Sequence, residues 1–308
     1  MADTQLRSKI RPVTIGGRPV GPGCPAYIAA EVGINHNGDV NLAKKLIDAA
    51  ALAGCDAVKF QKRTPELCVP AAMRDVPRET PWGLISYMEY RRRMEFGADA
   101  FACIDRYCRD KGIAWFASAW DVPSLEFLEQ FDSPCIKIPS ACLTDDALLR
   151  KARSLGRPVV LSTGMSTMQQ VRHAVSLLDR SNLVLLHCTS TYPCPPAELN
   201  LRGIFTLEAE FKIPVGYSGH ESGLQTTVAA ATLGACFIER HLTLDRAMWG
   251  SDHAASVEPG GFSRLVRDIR VVEQAMGDGV KRVYDSELPV MKRLRLVGGA
   301  DAPLAKAG

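Results

Sequence analysis

Short runs of apolar residues, rich in β-branched side chains, alternate along the chain with segments whose apolar positions repeat at helical spacing. Eight runs are almost continuously apolar, which is typical of strands buried on both faces, as in a parallel sheet. They start 22 to 30 residues apart, except for a gap of 58 residues between the second and third. The runs are AYIAAEVG from Ala26, CDAVKFQK from Cys55, IAWFAS from Ile113, CIKIPS from Cys135, PVVLSTG from Pro158, LVLLHCTS from Leu183, IPVGYSG from Ile213 and CFIERHLT from Cys236.

The segments between the runs predict helices. Residues 41–53 place apolar side chains on one face and are followed by Gly54, which is a typical helix stop. The long gap holds an inserted segment, 63–89, followed by a basic helix that begins near Tyr90. By the same criteria we expect helices over 124–131, 144–155, 166–178, 223–233 and 262–276.

Eight strand–helix units in series predict an α/β fold, a single (β/α)8 TIM barrel, more economically than two doubly wound sheets. We assign this barrel to residues 1–280. Within 11–25, a Gly16-Gly17 turn between short β-like pieces predicts an N-terminal β-hairpin cap over the bottom of the barrel. Residues 281–308 are left as a C-terminal tail.

Composition and charge exclude several classes of protein. The 308 residues are 46% hydrophobic and 23% charged, which excludes disordered and fibrous chains. A net charge of +3 is too small to indicate nucleic-acid binding, and no stretch predicts a signal peptide or a bilayer span. The ten cysteines contain no C-x-x-C pair. We therefore expect a cytoplasmic protein with buried thiols, Cys188 and Cys194 among them, and no nucleic-acid or membrane partner.

Every predicted strand ends in residues that can bind, ionise or donate. Because TIM-barrel active sites lie at the carboxyl ends of the strands, these side chains should meet in one cavity. A lysine inside a strand must be paired or solvated, so a barrel built only for stability would not need it. The pattern therefore indicates an enzyme. The strand-end residues are Glu31, Lys59, Gln61, Ser118, Lys137, Ser140, Ser162, Thr163, His187, Ser190, Ser218, His220, Glu239 and His241.

Two lysines lie in the second and fourth strands, so both ammonium groups can point into the cavity. Together with serine hydroxyls, Lys59 and Lys137 suit a phosphate, or a phosphate plus a carboxylate. Alternatively, one of them forms a structural ion pair with Glu31 or Glu239. The two glutamates end neighbouring strands and are candidate general acids or bases, or anchors for a sugar hydroxyl. Glu239 could instead balance the charge of Arg240.

Two histidines, His220 and His241, end the last two strands, which are about 4.8 Å apart in a parallel sheet. At this separation two imidazoles can share a divalent ion and leave positions open for substrate or water. With oxygen ligands, we expect Mn²⁺ or Mg²⁺ rather than a structural zinc. His253, in the loop after the last strand, is a candidate third ligand. A single histidine is more often a satisfied polar residue, but the adjacent pair favours a metal site.

Several stretches that contain these residues resemble the sialic acid synthase family, the phosphoenolpyruvate-dependent synthases of N-acetylneuraminate and related nonulosonates. They follow the family order from about residue 9 to residue 287 and cover nearly the whole chain. As a set, E-x-G-x-N-H followed by GYSGHE, ERH and GSDH is highly specific. The stretches are AEVGINHNGD (30–39), AGCDAVKFQ (53–61), KIPSACLTD (137–145), LSTGMST (161–167), HCTSTYPCP (187–195), VGYSGHE (215–221), IERHLT (238–243) and GSDHAASVEP (250–259).

This resemblance implies a metal-dependent condensation of phosphoenolpyruvate with an N-acylated, N-acetylmannosamine-like aldose. The products would be a nonulosonic acid and phosphate, released by C–O cleavage. As catalytic residues it implies Glu31, Lys59, Lys137 and Glu239. The implied phosphoenolpyruvate pocket adds Ser140, Ser162, Ser190 and Ser218; the implied sugar contacts are Gln61, Tyr192, Glu239 and Asp252; and the implied ligands of Mn²⁺ or Mg²⁺ are His220 and His241.

The sequence also departs from the family pattern. Ser118-Ala119-Trp120 stands where bacterial relatives have Ser-Thr-Pro, so Ser118 is the substrate-binding hydroxyl that remains there. Cys142 replaces an acidic residue that is often found in relatives. Only 21 residues follow Glu287, whereas most relatives continue into an antifreeze-like domain that lends an arginine to the partner's sugar site. We therefore expect a homodimer of catalytic barrels in which the tail, 281–308, forms no antifreeze-like domain.

Three alternatives stay open on the sequence alone. The first is a 3-deoxy-ulosonate synthase that uses another aldose or an aldose phosphate. The second is a Schiff-base aldolase that uses Lys59 or Lys137. The third is a barrel that binds sugar acids without catalysis.

Overall fold

Eight parallel strands close into a barrel, and each corresponds to one of the eight apolar runs, so the predicted (β/α)8 barrel is confirmed. The structure, a computed structural model, describes Arg7 and residues 9–296. Of the twelve strands described, all but the two pairs 13–15 with 18–20 and 77–80 with 83–86 form the barrel, which closes where the last strand pairs with the first barrel strand. In chain order the strands are β1 (Val13–Ile15), β2 (Arg18–Val20), β3 (Tyr27–Gly33), β4 (Ala57–Lys62), β5 (Pro77–Thr80), β6 (Gly83–Ser86), β7 (Ala114–Ala119), β8 (Ile136–Ile138), β9 (Val159–Ser162), β10 (Leu183–Cys188), β11 (Val215–Gly219) and β12 (Phe237–His241).

The barrel strands are buried on both faces, as their apolar runs predicted. Every residue of β3, β11 and β12 is buried. The register places Glu31 of β3 opposite both His241 of β12 and Lys59 of β4. On the next pair, Ser218 of β11 lies opposite Glu239 of β12. Because parallel strands lie about 4.8 Å apart, this register brings polar side chains of successive strands to the same end of the barrel.

A helix follows each barrel strand. The six helices predicted by range form within three residues of their expected ends, whereas the basic segment forms two helices, Tyr87–Met94 and Ala98–Lys111, instead of one. The helix Gly203–Phe211 was not predicted, and no side-chain cap marks its start after Arg202. In chain order the helices are α1 (Val40–Ala53), α2 (Pro65–Cys68), α3 (Tyr87–Met94), α4 (Ala98–Lys111), α5 (Val122–Leu128), α6 (Asp146–Ser154), α7 (Met168–Leu177), α8 (Gly203–Phe211), α9 (Gln225–Thr232), α10 (Pro259–Met276) and α11 (Leu288–Leu294).

The predicted N-terminal hairpin is confirmed as an antiparallel pair of β1 and β2. Its side chains Val13, Ile15 and Val20 are buried in a cluster with the first residues of several barrel strands, including Tyr27 and Phe237. Those residues mark the amino-terminal end of the barrel. The hairpin therefore fills the bottom of the barrel and leaves the opposite end open for chemistry.

The inserted segment forms a second antiparallel hairpin, β5 and β6, that the sequence did not predict. The ring centroid of Trp82, in the turn of this hairpin, lies 6.1 Å from that of Trp249. The ring centroid of Tyr90 in α3 lies 5.4 Å from that of Trp249. Trp249 belongs to the loop after β12, which also carries Asp252. The insertion therefore packs beside the loop that was predicted to contact the sugar.

After α10 the chain continues through a short 3₁₀ turn, Asp285–Glu287, into α11, and neither element buries a side chain. Part of the predicted tail, residues 297–308, lies outside the described residues. Among the described helices, none combines the length and apolar character needed to cross a membrane.

Candidate active site at the open end of the barrel

The carboxyl ends of all eight barrel strands surround a cavity of about 180 Å³. Of the fourteen residues implied by the family resemblance, Ser118 included, thirteen line it, and Asp252 is the exception. Two of the predicted strand-end residues do not line it: Thr163 Oγ1 donates to the carbonyl of Leu186 at 2.9 Å, and His187 Nε2 lies 2.8 Å from the carbonyl oxygen of Leu199. The other lining residues are Trp120, Pro139, Ala141, Met165 and Cys188. Because the carboxyl ends of the strands meet at one end of a TIM barrel, nearly all of the predicted residues lie together.

At the centre of this cavity, the ammonium group of Lys59 lies between two carboxylates. Its Nζ is 3.0 Å from Glu31 Oε2 and 3.3 Å from Glu239 Oε1. All three residues are buried. Burial alone would lower the pKa of Lys59, but Glu239 and Glu31 outweigh it and raise the pKa above its usual value. Lys59 is therefore a charged, paired lysine, which matches the ion-pair interpretation for this residue.

The two carboxylates differ in how readily they hold a proton. Burial raises the pKa of Glu31 to about 7, with Lys59 opposing the rise and Glu239 adding to it. For Glu239, burial is outweighed by Lys137 and Lys59, and the pKa falls to about 2. Glu239 Oε1 also accepts a hydrogen bond from Ser218 Oγ at 3.2 Å. Glu239 is thus the permanent anion of the pair, and Glu31 is the group able to exchange a proton near neutral pH.

The second lysine has no acidic partner. Lys137 Nζ donates to Ser162 Oγ at 2.6 Å and to the carbonyl of Ile138 at 3.1 Å. Within Arg7 and residues 9–296, no carboxylate oxygen lies within 4.0 Å of it. Burial lowers the pKa of Lys137; the charge of Glu239 opposes this fall, and the charge of Lys59 adds to it. A buried cation that meets only hydroxyl and carbonyl groups is a site for an anion.

Hydroxyl groups and a thiol converge beside this lysine around the glycine that follows β9. The N–H of Gly164 donates to Ser140 Oγ at 3.0 Å, and Ser140 Oγ lies 3.1 Å from Cys188 Sγ. Ser190 Oγ lies 3.9 Å from the same sulfur. Cys188 is buried as expected, but it lines the cavity.

The two predicted metal-binding histidines lie side by side, with ring centroids 5.7 Å apart. His220 Nδ1 donates to the carbonyl of Thr189 at 2.7 Å, so its Nε2 carries the lone pair, which accepts from the Tyr192 hydroxyl at 3.0 Å. Burial, with His241 adding to the effect, lowers the pKa of His220 to about 4. Burial also lowers the pKa of His241, whose buried Nδ1 has no hydrogen-bond partner. Two neighbouring neutral imidazoles fit a divalent ion, which would replace the Tyr192 hydroxyl at the lone pair of His220.

His253 does not join this pair. Its Nδ1 lies 2.7 Å from Thr243 Oγ1, and within the described part of the chain no three His, Cys, Asp or Glu side chains form a group that could hold a metal. The hypothesis of a third histidine ligand is therefore wrong. Substrate or water oxygens would have to complete the coordination of an ion held by the two histidines.

The remaining predicted sugar contacts lie at the mouth of the cavity. The ring of Tyr192 packs on His220 with centroids 4.1 Å apart, and Gln61 Nε2 donates to Glu31 Oε1 at 2.8 Å. Asp252 does not line the cavity, although its Oδ2 lies 3.9 Å from His241 Nδ1. The loop after β12 therefore brings Asp252 to the rim, next to the histidines.

Sequence reasoning missed two features of the site. Trp120 lines the cavity, and the only signal was its place directly after β7, where an unusual residue was noted. The suggested pairing of Arg240 with Glu239 is wrong, because Arg240 Nη1 donates to Glu221 Oε1 at 3.0 Å. Glu239 and Arg240 are consecutive residues of β12, so their side chains point to opposite faces of the sheet, and strand alternation already argues against their pairing.

Comparisons with known proteins show the family of the chain. The family model described as the NeuB family matches residues 46–281. N-acetylneuraminate-9-phosphate synthase of Homo sapiens is 41% identical over 284 residues, covering 90% of this chain and 79% of that protein. N,N'-diacetyllegionaminic acid synthase of Campylobacter jejuni is 39% identical over 267 residues, covering 84% of this chain and 80% of that protein.

Solved structures give the same result. The N-acetylneuraminic acid (sialic acid) synthetase of Leptospira borgpetersenii superimposes with a TM-score of 0.81 at 31% identity, covering 94% of this chain and 99% of that one. A truncated 3-deoxy-D-arabino-heptulosonate 7-phosphate synthase of Thermotoga maritima has a TM-score of 0.66 at 16% identity, which shows a shared fold alone. Because the similar proteins are synthases, the alternative of a barrel without catalysis is wrong. The chain belongs to the NeuB family and is an enzyme of that family, a synthase in sugar-acid biosynthesis.

Proposed function

We propose that this enzyme condenses phosphoenolpyruvate with an N-acylated aldose to give a nonulosonic acid and phosphate. The observation that carries the proposal is the division of the cavity into two ends. One end has a buried, unpaired Lys137 among serine hydroxyls, and the other has the pair His220 and His241 beside Tyr192. An anion bound at the first end and an aldehyde bound at the second would meet over the carboxylates of Glu31 and Glu239.

The phosphoenolpyruvate end rests on the chemistry of Lys137. Its ammonium group, together with Ser162 and Ser140, offers charge-assisted and neutral hydrogen bonds to the phosphate. As C3 of phosphoenolpyruvate attacks the aldehyde carbon, positive charge develops at C2, and water adds there. The tetrahedral product then loses phosphate with cleavage of the C–O bond. Lys137 would stabilise the negative charge on the departing phosphate.

The aldose end rests on the two histidines and the two carboxylates. A divalent ion, Mn²⁺ or Mg²⁺, held by His220 and His241 would supply Lewis-acid polarisation of the aldehyde. Glu31, whose pKa is raised to about 7, can give or take the proton that the reaction moves. Glu239 stays ionised and stabilises the cationic centre at C2. Tyr192 and Asp252 would hold the acyl-amino group and the hydroxyls of the sugar.

The test is a phosphate-release assay with phosphoenolpyruvate, Mn²⁺ and a panel of aldoses. The panel contains N-acetylmannosamine, its 6-phosphate and diacetamido hexoses, and mass spectrometry identifies the product. Phosphoenolpyruvate labelled with oxygen-18 in the bridging position should transfer the label to phosphate, because the C–O bond breaks. Release of unlabelled phosphate, or no release with any aldose, would defeat the proposal.

One observation favours a second candidate, a Schiff-base aldolase. The lowered pKa of Lys137 is a property of lysines that attack carbonyl groups as free amines. Borohydride in the presence of pyruvate would then trap a covalent adduct on Lys137. Metal-dependent phosphate release with no trapped adduct decides for the synthase.

The predicted homodimer and the predicted cytoplasmic location belong to the same proposal. Sedimentation of the purified chain checks the first, and cell fractionation checks the second.

A further inference from the structure

The loop after β12, residues 244–256, carries Asp252 to the mouth of the cavity. A parallel bridge between Leu242 and Val257 closes the base of this loop on the barrel. Beyond the bridge, the loop forms no strand or α-helix and has only a short 3₁₀ turn. Its Asp252 carboxylate lies 3.9 Å from His241 Nδ1. A loop of this kind keeps a carboxylate in place only if other side chains hold it there.

An arginine of the insertion lies against the middle of this loop. Arg78, in β5, lies over three aromatic rings. Its Cζ atom is 4.6 Å from the ring centroid of Tyr90, 5.5 Å from that of Trp249 and 5.9 Å from that of Tyr87. The rings of Tyr90 and Trp249 also meet edge to face. Because Trp249 belongs to the loop and both tyrosines belong to α3, the cation joins the insertion and its helix to the loop.

Arg78 has no acidic partner that would explain its position. Within Arg7 and residues 9–296, no carboxylate oxygen lies within 4.0 Å of the side-chain nitrogens of Arg78, and its Nε is buried without a hydrogen-bond partner. The aromatic faces are therefore the groups that stabilise its charge. This attraction is strongest where the cation is shielded from water, and tryptophan gives the strongest contact of the three aromatic residue types.

Further contacts fix the backbone between Trp249 and Asp252. The carbonyl of Trp249 accepts a hydrogen bond from Asn37 Nδ2 at 3.0 Å, and its ring meets that of Trp82 in the hairpin turn. Asp252 follows three residues later, and its carbonyl accepts a hydrogen bond from Ser256 Oγ at 2.7 Å. A displacement of Trp249 would therefore be transmitted to Asp252 through this short segment.

The charges of Arg78 and Asp252 both act on the phenol of Tyr90. Tyr90 is 1% exposed, and burial raises its pKa to about 12. Arg78 opposes this rise and Asp252 adds to it. Both charged groups therefore lie within electrostatic range of one buried hydroxyl, which places the Arg78 stack close to Asp252.

We propose that Arg78 is a positioning residue: its stack on Tyr90 and Trp249 holds the loop 244–256 against the insertion and keeps the Asp252 carboxylate at the mouth of the cavity. The proposal rests on the proposed function in one respect, the role of Asp252 in holding the aldose. It also gives a function to the inserted segment 63–89, because the hairpin of β5 and β6 then fixes a loop that follows the last strand of the barrel.

Two measurements on Arg78→Met test this assignment, one of them without turnover. Methionine keeps most of the length of the side chain and removes its charge. Hydrogen–deuterium exchange of residues 244–256 should become faster by roughly 5- to 30-fold, the range to which the loss of about 1–2 kcal/mol of cation–π stabilisation converts. In steady-state kinetics, KM for the aldose should rise within the same range. KM for phosphoenolpyruvate should stay within about twofold, because Lys137 and its serines are untouched.

Further variants keep the test decisive. Arg78→Lys retains the cation and should restore part of both values, and Arg78→Gln replaces Arg78→Met if that variant does not fold. Arg92→Met is the matched control, because Arg92 is an exposed arginine of α3 that pairs with Glu66 at 2.8 Å. It should leave loop exchange and all kinetic constants unchanged. In a Trp249→Leu background, Arg78→Met should add less than about twofold, since the cation has then lost its ring in the loop.

The outcomes separate this proposal from the proposed function. Unchanged exchange of the loop in Arg78→Met would overturn the proposal, and so would equal rises in both KM values, which would mean that the whole barrel is disturbed. Independent effects of Arg78→Met and Trp249→Leu would place the role of Arg78 outside the loop and overturn it as well. If no aldose leads to phosphate release, the proposed function fails, and the exchange measurement alone decides whether Arg78 holds the loop.

Discussion

Arg240 Nη1 donates to Glu221 Oε1 at 3.0 Å, and both side chains are 1% exposed. Glu221 directly follows His220, and Arg240 directly precedes His241. The guanidinium also donates to the backbone carbonyl of Glu221 at 2.6 Å, and the Tyr217 hydroxyl donates to Glu221 Oε2 at 2.9 Å. This buried network therefore fixes the backbone on which both histidines are carried.

We expect Arg240→Met to destabilise the fold and to weaken metal binding. Removing one partner of a buried ion pair leaves the other charge unpaired and costs about 3–5 kcal/mol. The free energy of unfolding from urea titration measures the first effect, and Mn²⁺ affinity of the folded variant measures the second. As a control, Arg93→Gln breaks the exposed pair of Arg93 and Glu89, which should contribute less than about 1 kcal/mol. Equal costs in the two variants would contradict the role of the buried pair.

Gly164 lies where the structure has no space for a side chain. A Cβ added there would lie 2.3 Å from Ser190 Oγ, 2.7 Å from Cys188 Sγ and 2.9 Å from Ser140 Oγ. We expect Gly164→Ala to displace these groups and lower kcat/KM for phosphoenolpyruvate on the order of 100-fold, the usual effect of moving catalytic groups by about 1 Å.

A glycine in open space provides the comparison for this variant. A Cβ added at Gly260, in the first turn of α10, meets no atom within 4 Å. Gly260→Ala should leave the kinetic constants unchanged and alter the free energy of unfolding by less than about 1 kcal/mol. If Gly164→Ala behaves like Gly260→Ala, the serine and cysteine groups around Gly164 do not bind the phosphate.

The barrel and most of the site could be predicted from the sequence because a parallel barrel ties position to chain order. Once the strands are known, residues at their carboxyl ends must converge, and Glu31, Lys59, Lys137 and Glu239 do so. The sequence did not predict that Lys59 pairs with two carboxylates while Lys137 pairs with none, because this depends on how two similar side chains fill the same cavity. The sequence left both interpretations open for both lysines.

The features that were not predicted lie in segments without a regular period. The hairpin of β5 and β6 is short, and only half of its residues are partly buried, so it has no apolar pattern. Arg63 stacks on the ring of Trp120 and so joins the ends of two different strands, 57 positions apart in the chain (120 − 63). Such contacts are set by loop conformation, which sequence periodicity does not encode.

The histidine pair gives a prediction for metal dependence. His241→Ala and His220→Ala should each abolish the condensation while phosphoenolpyruvate still binds, because Lys137 and its serines are untouched. Chelation of the wild type with EDTA should have the same effect and should be reversed by Mn²⁺. His253→Ala is the matched control, because His253 contacts Thr243 and lies outside the pair. Turnover without added metal in a variant that lacks both His220 and His241 would overturn the metal role.

The buried histidine at position 36 gives a prediction for the pH dependence of stability. His36 is 2% exposed, stacks on Phe96 at 4.0 Å between ring centroids, and its Nδ1 accepts the backbone N–H of Gly38 at 3.0 Å. Burial lowers the pKa of His36 to about 3. In the unfolded chain a histidine has a pKa of about 6.5.

Below pH 6.5 the unfolded chain therefore binds a proton at His36 that the folded chain does not bind. The contribution of the neutral His36 to the free energy of unfolding is complete above pH 6.5. It is lost progressively as the pH falls toward 3, and the loss between pH 7 and pH 5 is about 2 kcal/mol. Urea unfolding of the wild type and of His36→Gln at several pH values measures the difference, and the variant should lose less stability on acidification. His173→Gln is the control, since His173 is exposed and pairs with Asp146 at 2.8 Å. Parallel stability curves for the wild type and His36→Gln would show that the buried imidazole does not stay neutral.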